Sequence, residues 1–175
     1  MVVRIDLEPW EYEHANAVGI RRYAENWKAP DAKHYNNPFA LQDNRTALVA
    51  ASVCELAVAK VTNQYWGGHV WPHAKHKEYK DLPDVGTNIE VRRIRTSPDA
   101  AVRKKQLGLG LILFVAQPEE PELRSVDILG WMDYDEAWEQ GKPSSYAPET
   151  TRNIASTLLK SVTEFATYSN LNSEG

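Results

Sequence analysis

The run Leu107-Gly108-Leu109-Gly110-Leu111-Ile112-Leu113-Phe114-Val115-Ala116 constrains this chain more than any other segment. It holds no charge and almost no polar group, and it is too short for a buried helix of ordinary length. A run of this kind reads as a strand buried on both faces, which needs a partner strand on each side and a layer over each face. The elements around it must supply those layers.

Ahead of the run, residues 10–27 read as a helix, with Ala17, Ile20, Tyr23, Ala24 and Trp27 at roughly helical spacing. Residues 28–44 contain Pro30, Pro38 and Asn36-Asn37 and read mostly as loop. A second, strong helix is expected over 45–65, capped by Asp43 or Asn44 and ended by Gly67-Gly68. Residues 69–82 form an irregular, wet, basic and aromatic loop. A hairpin follows, its second strand running over 89–95 until Ser97-Pro98-Asp99 breaks it. After the apolar run come an acidic turn at Pro118-Glu119-Glu120-Pro121-Glu122, a strand over 125–131 ending in Gly130-Trp131, and a short helical turn at 135–139. Residues 149–168 read as a final amphipathic helix with Ile154, Leu158, Val162 and Phe165 on one side. The expected fold is a single α/β (or α+β) domain over 1–175, a mixed four-stranded sheet flanked by helices, with its core at about 45–131.

Composition excludes several classes. Hydrophobic residues at 42% and charged residues at 25% are globular values. No apolar run approaches the ~20 residues that span a bilayer. The N-terminal Met1-Val2-Val3-Arg4-Ile5-Asp6 meets charge at once and lacks the apolar core of a signal peptide. The single Cys54 rules out an internal disulfide, so a soluble cytoplasmic protein is expected.

The hairpin carries the chemistry. In Pro83-Asp84-Val85-Gly86-Thr87-Asn88-Ile89-Glu90-Val91-Arg92, the residues Gly86-Thr87-Asn88 supply turn chemistry between strand-like flanks. If they form the loop, Asp84 lies across from Glu90 on one face, and strand alternation puts Arg92 on that face while Ile89 and Val91 point away. Like charges directly opposite each other destabilise a hairpin, and a hard divalent cation between them reverses the sign. The alternative is a hairpin whose solvated face happens to be charged.

A third carboxylate belongs with these two. On the second helix Leu48, Ala51, Ser52, Val58, Ala59 and Thr62 share the stripe that contains Glu55, so the acid stands amid small and apolar residues. Carboxylates are seldom buried unless paired or bound to metal. Glu55 therefore either reaches solvent at the stripe's edge, pairs with an arginine, or completes an all-oxygen site with Asp84 and Glu90.

An acid in a helix (Glu55), then Pro83-Asp84 opening a hairpin, then Glu90-Val91-Arg92 on its second strand resembles the PD-(D/E)XK nuclease superfamily. With the apolar strand and the strand ending in Gly130-Trp131, the order is similar to that of compact phage-encoded members, over about residues 45–131. The resemblance implies a restriction-endonuclease-like core and metal-dependent hydrolysis of phosphodiester bonds, DNA being the expected substrate. It implies Mg²⁺ or Mn²⁺ on Asp84 and Glu90, the Val91 carbonyl as a further ligand, and Glu55 as outer ligand. It also carries an expectation of pairing into a homodimer and, for a phage-encoded chain, of action in the host cytoplasm. Arg92 stands where the family has lysine. Arginine stays protonated, so it can clamp a phosphate but cannot act as general base.

Charge placement fits a polyanionic substrate. From His69 to Lys105 nine Lys/Arg stand against five Asp/Glu, a basic window in a chain of net charge −4. Surface loops also collect lysines for no binding reason. Lys75, Lys77 and Arg95 are candidates for backbone phosphate contacts, with Arg93 ranked lower because its strand parity is wrong. Trp66, Tyr65 and Trp71 flank the basic loop and either stack on unpaired bases or bury against the sheet edge.

Other readings are a non-catalytic nucleic-acid-binding or regulatory protein that keeps the nuclease fold, and an interaction protein using exposed tryptophans. A zinc site at His69, His73 and His76 is disfavoured by Pro72 and the glycines, which argue against a helix, and by the lack of a nearby cysteine. Cys54 sits among alanine and valine and reads as a small core residue. Gly108-Leu109-Gly110 lies within an apolar run and does not make a nucleotide loop.

Overall fold

The computed structural model describes residues 2–28 and 44–165. The apolar run does become the centre of a sheet, but only from Ile112. Strands β1 (Val3–Asp6), β2 (Ile89–Arg93), β4 (Ile112–Pro118) and β5 (Ser125–Asp133) form a four-stranded sheet in the order β1-β5-β4-β2. It is mixed: β2 and β4 are parallel, while β4–β5 and β1–β5 are antiparallel. Gly108 and Gly110 at φ 75° and 69° turn the chain before Ile112, so Leu109 lies exposed outside the strand.

Alternation along β4 divides two cores. Ile112, Phe114 and Ala116 join a cluster with Ile89, Val91, Val53 and Val58 under the helices α1 (Pro9–Asn26) and α2 (Asn44–Thr62). Leu113 and Val115 join a second cluster on the opposite face. That face is covered by a small sheet of β3 (Asp99–Arg103), β6 (Lys142–Pro143) and β7 (Thr151–Ala155), in the order β3-β7-β6, and by α4 (Tyr134–Gln140). Among the described residues no helix is long and apolar enough to cross a membrane.

The helices follow local signals. Pro9 opens α1, and Glu8 with Glu11 forms a capping box, the Glu11 carboxylate accepting the Glu8 N–H at 2.8 Å. Gly19 lets α1 lie close on α2, since a Cβ there would fall 2.6 Å from the Val49 Cα. α2 ends at Thr62 and not at Gly67-Gly68. Asn63 adopts φ 53°, and the N–H groups of Gln64 and Asn63 return to the carbonyls of Ala59 and Lys60, a Schellman closure in which Asn replaces Gly.

Other expectations are corrected. The expected C-terminal helix at 149–168 is not formed over its described part: residues 151–155 are strand β7, paired antiparallel with β3. Strand β3 occupies residues where Ser97-Pro98-Asp99 promised only a break. The fourth strand of the main sheet is β1, while the first arm of the hairpin contributes only isolated bridges, Trp66 to Val85 and Val85 to Ile89. The segment 69–82 holds a 3₁₀ turn at His73–Lys75 and a single α turn, α3 (His76–Tyr79), despite Pro72. The loop expected at 28–44, the Asp43 cap and the last residues of the expected helix fall wholly or largely outside the described residues.

Candidate functional site

β2 is the edge of the main sheet, and the hairpin closes that edge. The Asp84 and Val85 N–H groups donate to the Ile89 carbonyl at 3.0 and 3.2 Å, and the Ile89 N–H returns to the Val85 carbonyl at 3.1 Å. Gly86-Thr87-Asn88 is thus the loop that its composition promises, with Gly86 at φ 57°. Asp84 then stands opposite Glu90. The Val91 N–H donates to Asp84 Oδ2 at 2.8 Å. In a strand the N–H and C=O of one residue face the same side, so the Val91 carbonyl also faces the open edge where Asp84 lies.

Register separates the acids. Glu90 and Arg92 pair with Leu113 and Val115, whose side chains belong to the second cluster. Ile89 and Val91 pair with Ile112 and Phe114, under α2. Glu55 on α2 therefore approaches the edge strand from the face opposite to Glu90, and Asp84 sits at the edge between them. Loss of hydration pushes the Asp84 carboxyl well above its ordinary 3.8, and the charges of Glu55 and then Glu90 push it further. The Val91 N–H and Arg92 offset only part of this.

Each flanking acid has its own arginine. Glu55, 6% exposed, is gripped by Arg22 of α1 through Nη1–Oε2 at 2.6 Å and Nη2–Oε1 at 3.1 Å. Trp66 Nε1 donates to the same Oε1 at 3.2 Å. Arg22 is fixed in turn by the His69 carbonyl at 2.8 Å. Of the alternatives open for Glu55, the arginine pair is the one formed, and both its oxygens are occupied. Glu90 Oε1 pairs with Arg92 Nη1 at 2.9 Å. Arg92 also donates from Nε to the Ala101 carbonyl at 3.1 Å, and from Nη2 to Gln106 Oε1 and, at 3.5 Å, to Tyr134 Oη. Burial works against its charge, but Glu90 and Tyr134 outweigh that and raise its pKa. Three carboxylates against two guanidiniums leave one surplus negative charge, and it falls on Asp84.

Asp84 lines a pocket of about 210 Å³ together with Arg22, His69, Trp71, His76 and Leu82. Among the described residues, no three His, Cys, Asp or Glu side chains already form a metal-holding cluster. Neither the convergent Glu55-Asp84-Glu90 triad nor the His69-His73-His76 alternative is therefore present as a ready cage. Mg²⁺ seldom needs one, being bound commonly by one or two carboxylates plus substrate phosphates and water. Asp84, Glu90 and the Val91 carbonyl offer that kind of all-oxygen set. Glu55, locked by Arg22, does not.

The remaining candidates divide. Trp66 is buried and its indole N–H is spent on Glu55, so it cannot stack on a base. Trp71 walls the pocket. Lys77 is exposed, Lys75 pairs with Glu78 at 3.3 Å, and Arg95 is held by both Glu120 oxygens at 3.0 Å. Cys54 is fully buried, which pushes its thiol up and away from reactivity. The residues missed were Arg22, Gln106 and Tyr134. A signal for Arg22 was available: with Glu11, Ala15 and Val18 it continues the buried stripe of α1, a cation on one core face answering the anion on the other. No family model matches the chain, and neither a curated protein sequence nor a solved structure matches it.

Proposed function

We propose that the pocket over Asp84 is a phosphodiester-hydrolysing centre that takes Mg²⁺ or Mn²⁺ on Asp84, Glu90 and the Val91 carbonyl, with nucleic acid, DNA first, as substrate. The observation that carries this reading is the state of Asp84, a surplus carboxylate at the foot of an open pocket whose hydration, Glu55 and Glu90 all oppose its ionisation. An amide would be easier to bury there, and groups perturbed in this way concentrate at functional sites.

When bound, the cation lowers the pKa of a coordinated water and polarises the scissile phosphate. The protein supplies position and charge. The Val91 N–H holds Asp84 Oδ2, leaving Oδ1 as the oxygen to face the pocket. Arg92, fixed by Glu90, Ala101, Gln106 and Tyr134, is pre-organised to stabilise charge on phosphoryl oxygens without cost of reorganisation. It does not take the water's proton, because a guanidinium in this setting stays charged. Arg22 and Trp66 hold Glu55 in place, where it acts on Asp84 through its charge and not as a ligand.

The second reading, a non-catalytic nucleic-acid-binding or regulatory protein with a nuclease-like site, is favoured by the arginine that each flanking acid already has. Cleavage decides between them. The purified protein is incubated with Mg²⁺ or Mn²⁺ and labelled single- or double-stranded DNA, with Asp84→Ala and Glu90→Ala alongside. Metal-dependent cutting lost in both variants is expected. Cutting that survives both removes the site assignment, and DNA binding without cutting or Mn²⁺ binding selects the second reading.

A further inference from the structure

We infer that the pocket beside Asp84 is a nucleobase pocket, so that the substrate presents an unpaired nucleotide at the site of cleavage. This rests on the hydrolytic reading for the word cleavage, but the pocket has its own grounds. Its base carries Asp84 and Arg22, and its wall carries Trp71, His76, Val70 and Leu82. Val70 and Leu82 are 38% and 42% exposed, an apolar surface left open to water beside a charged floor. A nucleotide has that same division, a flat apolar base joined to an anionic phosphate.

The aromatic wall is braced. Trp71 Nε1 donates to His76 Nδ1 at 3.2 Å, which fixes the tilt between the two rings. Tyr79 lies behind Trp71 with ring centres 6.1 Å apart and planes only 33° from parallel. The turn of α3 that places His76 and Tyr79 has no buried residue, so it contributes nothing to either core. What it does is hold Trp71 against the pocket. Single-strand binders use such platforms because every base has a π-face, and bases inside a duplex cannot reach them. Exposed cations on the same turn, Lys77 among them, suit the flanking phosphates.

The test is equilibrium binding of the full chain, in EDTA to prevent cutting, by fluorescence anisotropy. The probes are a labelled single-stranded oligonucleotide, the blunt duplex of the same sequence, and the single strand with abasic sites. Wild type is expected to prefer the intact single strand over both other probes. Trp71→Ala should weaken single-strand binding roughly 5- to 100-fold while leaving duplex binding within about twofold, and Trp71→Phe should restore most of it. Leu82→Glu, an exposed position that puts a carboxylate in the base site, should give the same selective loss without removing an aromatic. Equal losses on duplex and single strand, no loss on either, or no penalty for abasic sites would overturn the pocket. The two readings fail separately. Base-dependent binding with no cleavage in Mg²⁺ or Mn²⁺ removes hydrolysis and keeps the pocket. Metal-dependent cleavage indifferent to Trp71→Ala removes the pocket and keeps hydrolysis.

Discussion

Replacing Arg22 by Met removes the guanidinium that holds Glu55 and leaves a carboxylate, 6% exposed, among Val58, Ala59 and Trp66. Breaking a buried ion pair from one side costs about 3–5 kcal/mol, chiefly because the other charge stays buried without its partner. The Arg22 side chain is 20% exposed, so water partly screens this pair, and about 2–4 kcal/mol is the better figure. For a domain of this size that lowers the melting temperature by roughly 5–15 °C. Glu55→Met fails for the mirror reason, stranding Arg22 and, in addition, the Trp66 N–H, worth about 1 kcal/mol. The double variant Arg22→Met/Glu55→Met strands neither charge and fills the space with apolar atoms. It should melt above either single variant, with a coupling of about 2–3 kcal/mol in a double-mutant cycle read by circular dichroism. Losses that add to within about 0.5 kcal/mol would mean that the two side chains do not hold each other, and the placement of Glu55 away from the cation site would fall with them.

The pH dependence of Asp84 has a definite sign. Its folded-state pKa lies above the ordinary 3.8, so between those two values the native state binds more protons than the unfolded chain. Stability therefore falls as pH rises through that window, and Asp84→Asn, which keeps an acceptor for the Val91 N–H, should be more stable than wild type at neutral pH and no different at pH about 3. Urea melts of both proteins across pH check it. Arg92→Lys should cost about 1–3 kcal/mol, because one ammonium cannot reach Glu90, the Ala101 carbonyl and Gln106 together, and thermal melting measures the loss. Gly19→Ala should cost about 1–3 kcal/mol by driving a methyl into the backbone of α2 at Val49, and a wild-type melting temperature would show that the helices are not this close.

Legibility in the sequence followed from how local the determining physics is. The hairpin was legible because Gly86-Thr87-Asn88 specifies a three-residue loop whatever surrounds it, and the loop fixes Asp84 opposite Glu90. β4 was legible as a two-faced strand because its own residues must satisfy both cores, with only its start misplaced by the two glycines. The expected C-terminal helix misled because Ile154, Leu158, Val162 and Phe165 repeat at helical spacing while serving different places. Ile154 faces the second core from β7, Leu158 is 48% exposed, and Val162 and Phe165 close the first core, Phe165 packing edge-on against Phe114 and Trp131. No single helix face does that. β1 went unseen because four residues with two charges, Arg4 and Asp6, carry little apolar signal on their own. At the site, Glu55 was conspicuous on its stripe, but its partner lies 33 residues away on another helix, and only the packing of α1 on α2 joins them.

The account stands on Asp84 as a cation ligand, and isothermal calorimetry with Mn²⁺ on wild type and Asp84→Asn addresses it most directly. One site is predicted in wild type, with protons released on binding as the raised Asp84 carboxyl ionises, seen as a heat that changes with the ionisation enthalpy of the buffer. Asp84→Asn should lose the site while remaining folded. Mn²⁺ binding of equal affinity in both proteins, or none in wild type at millimolar concentration, would contradict the claim.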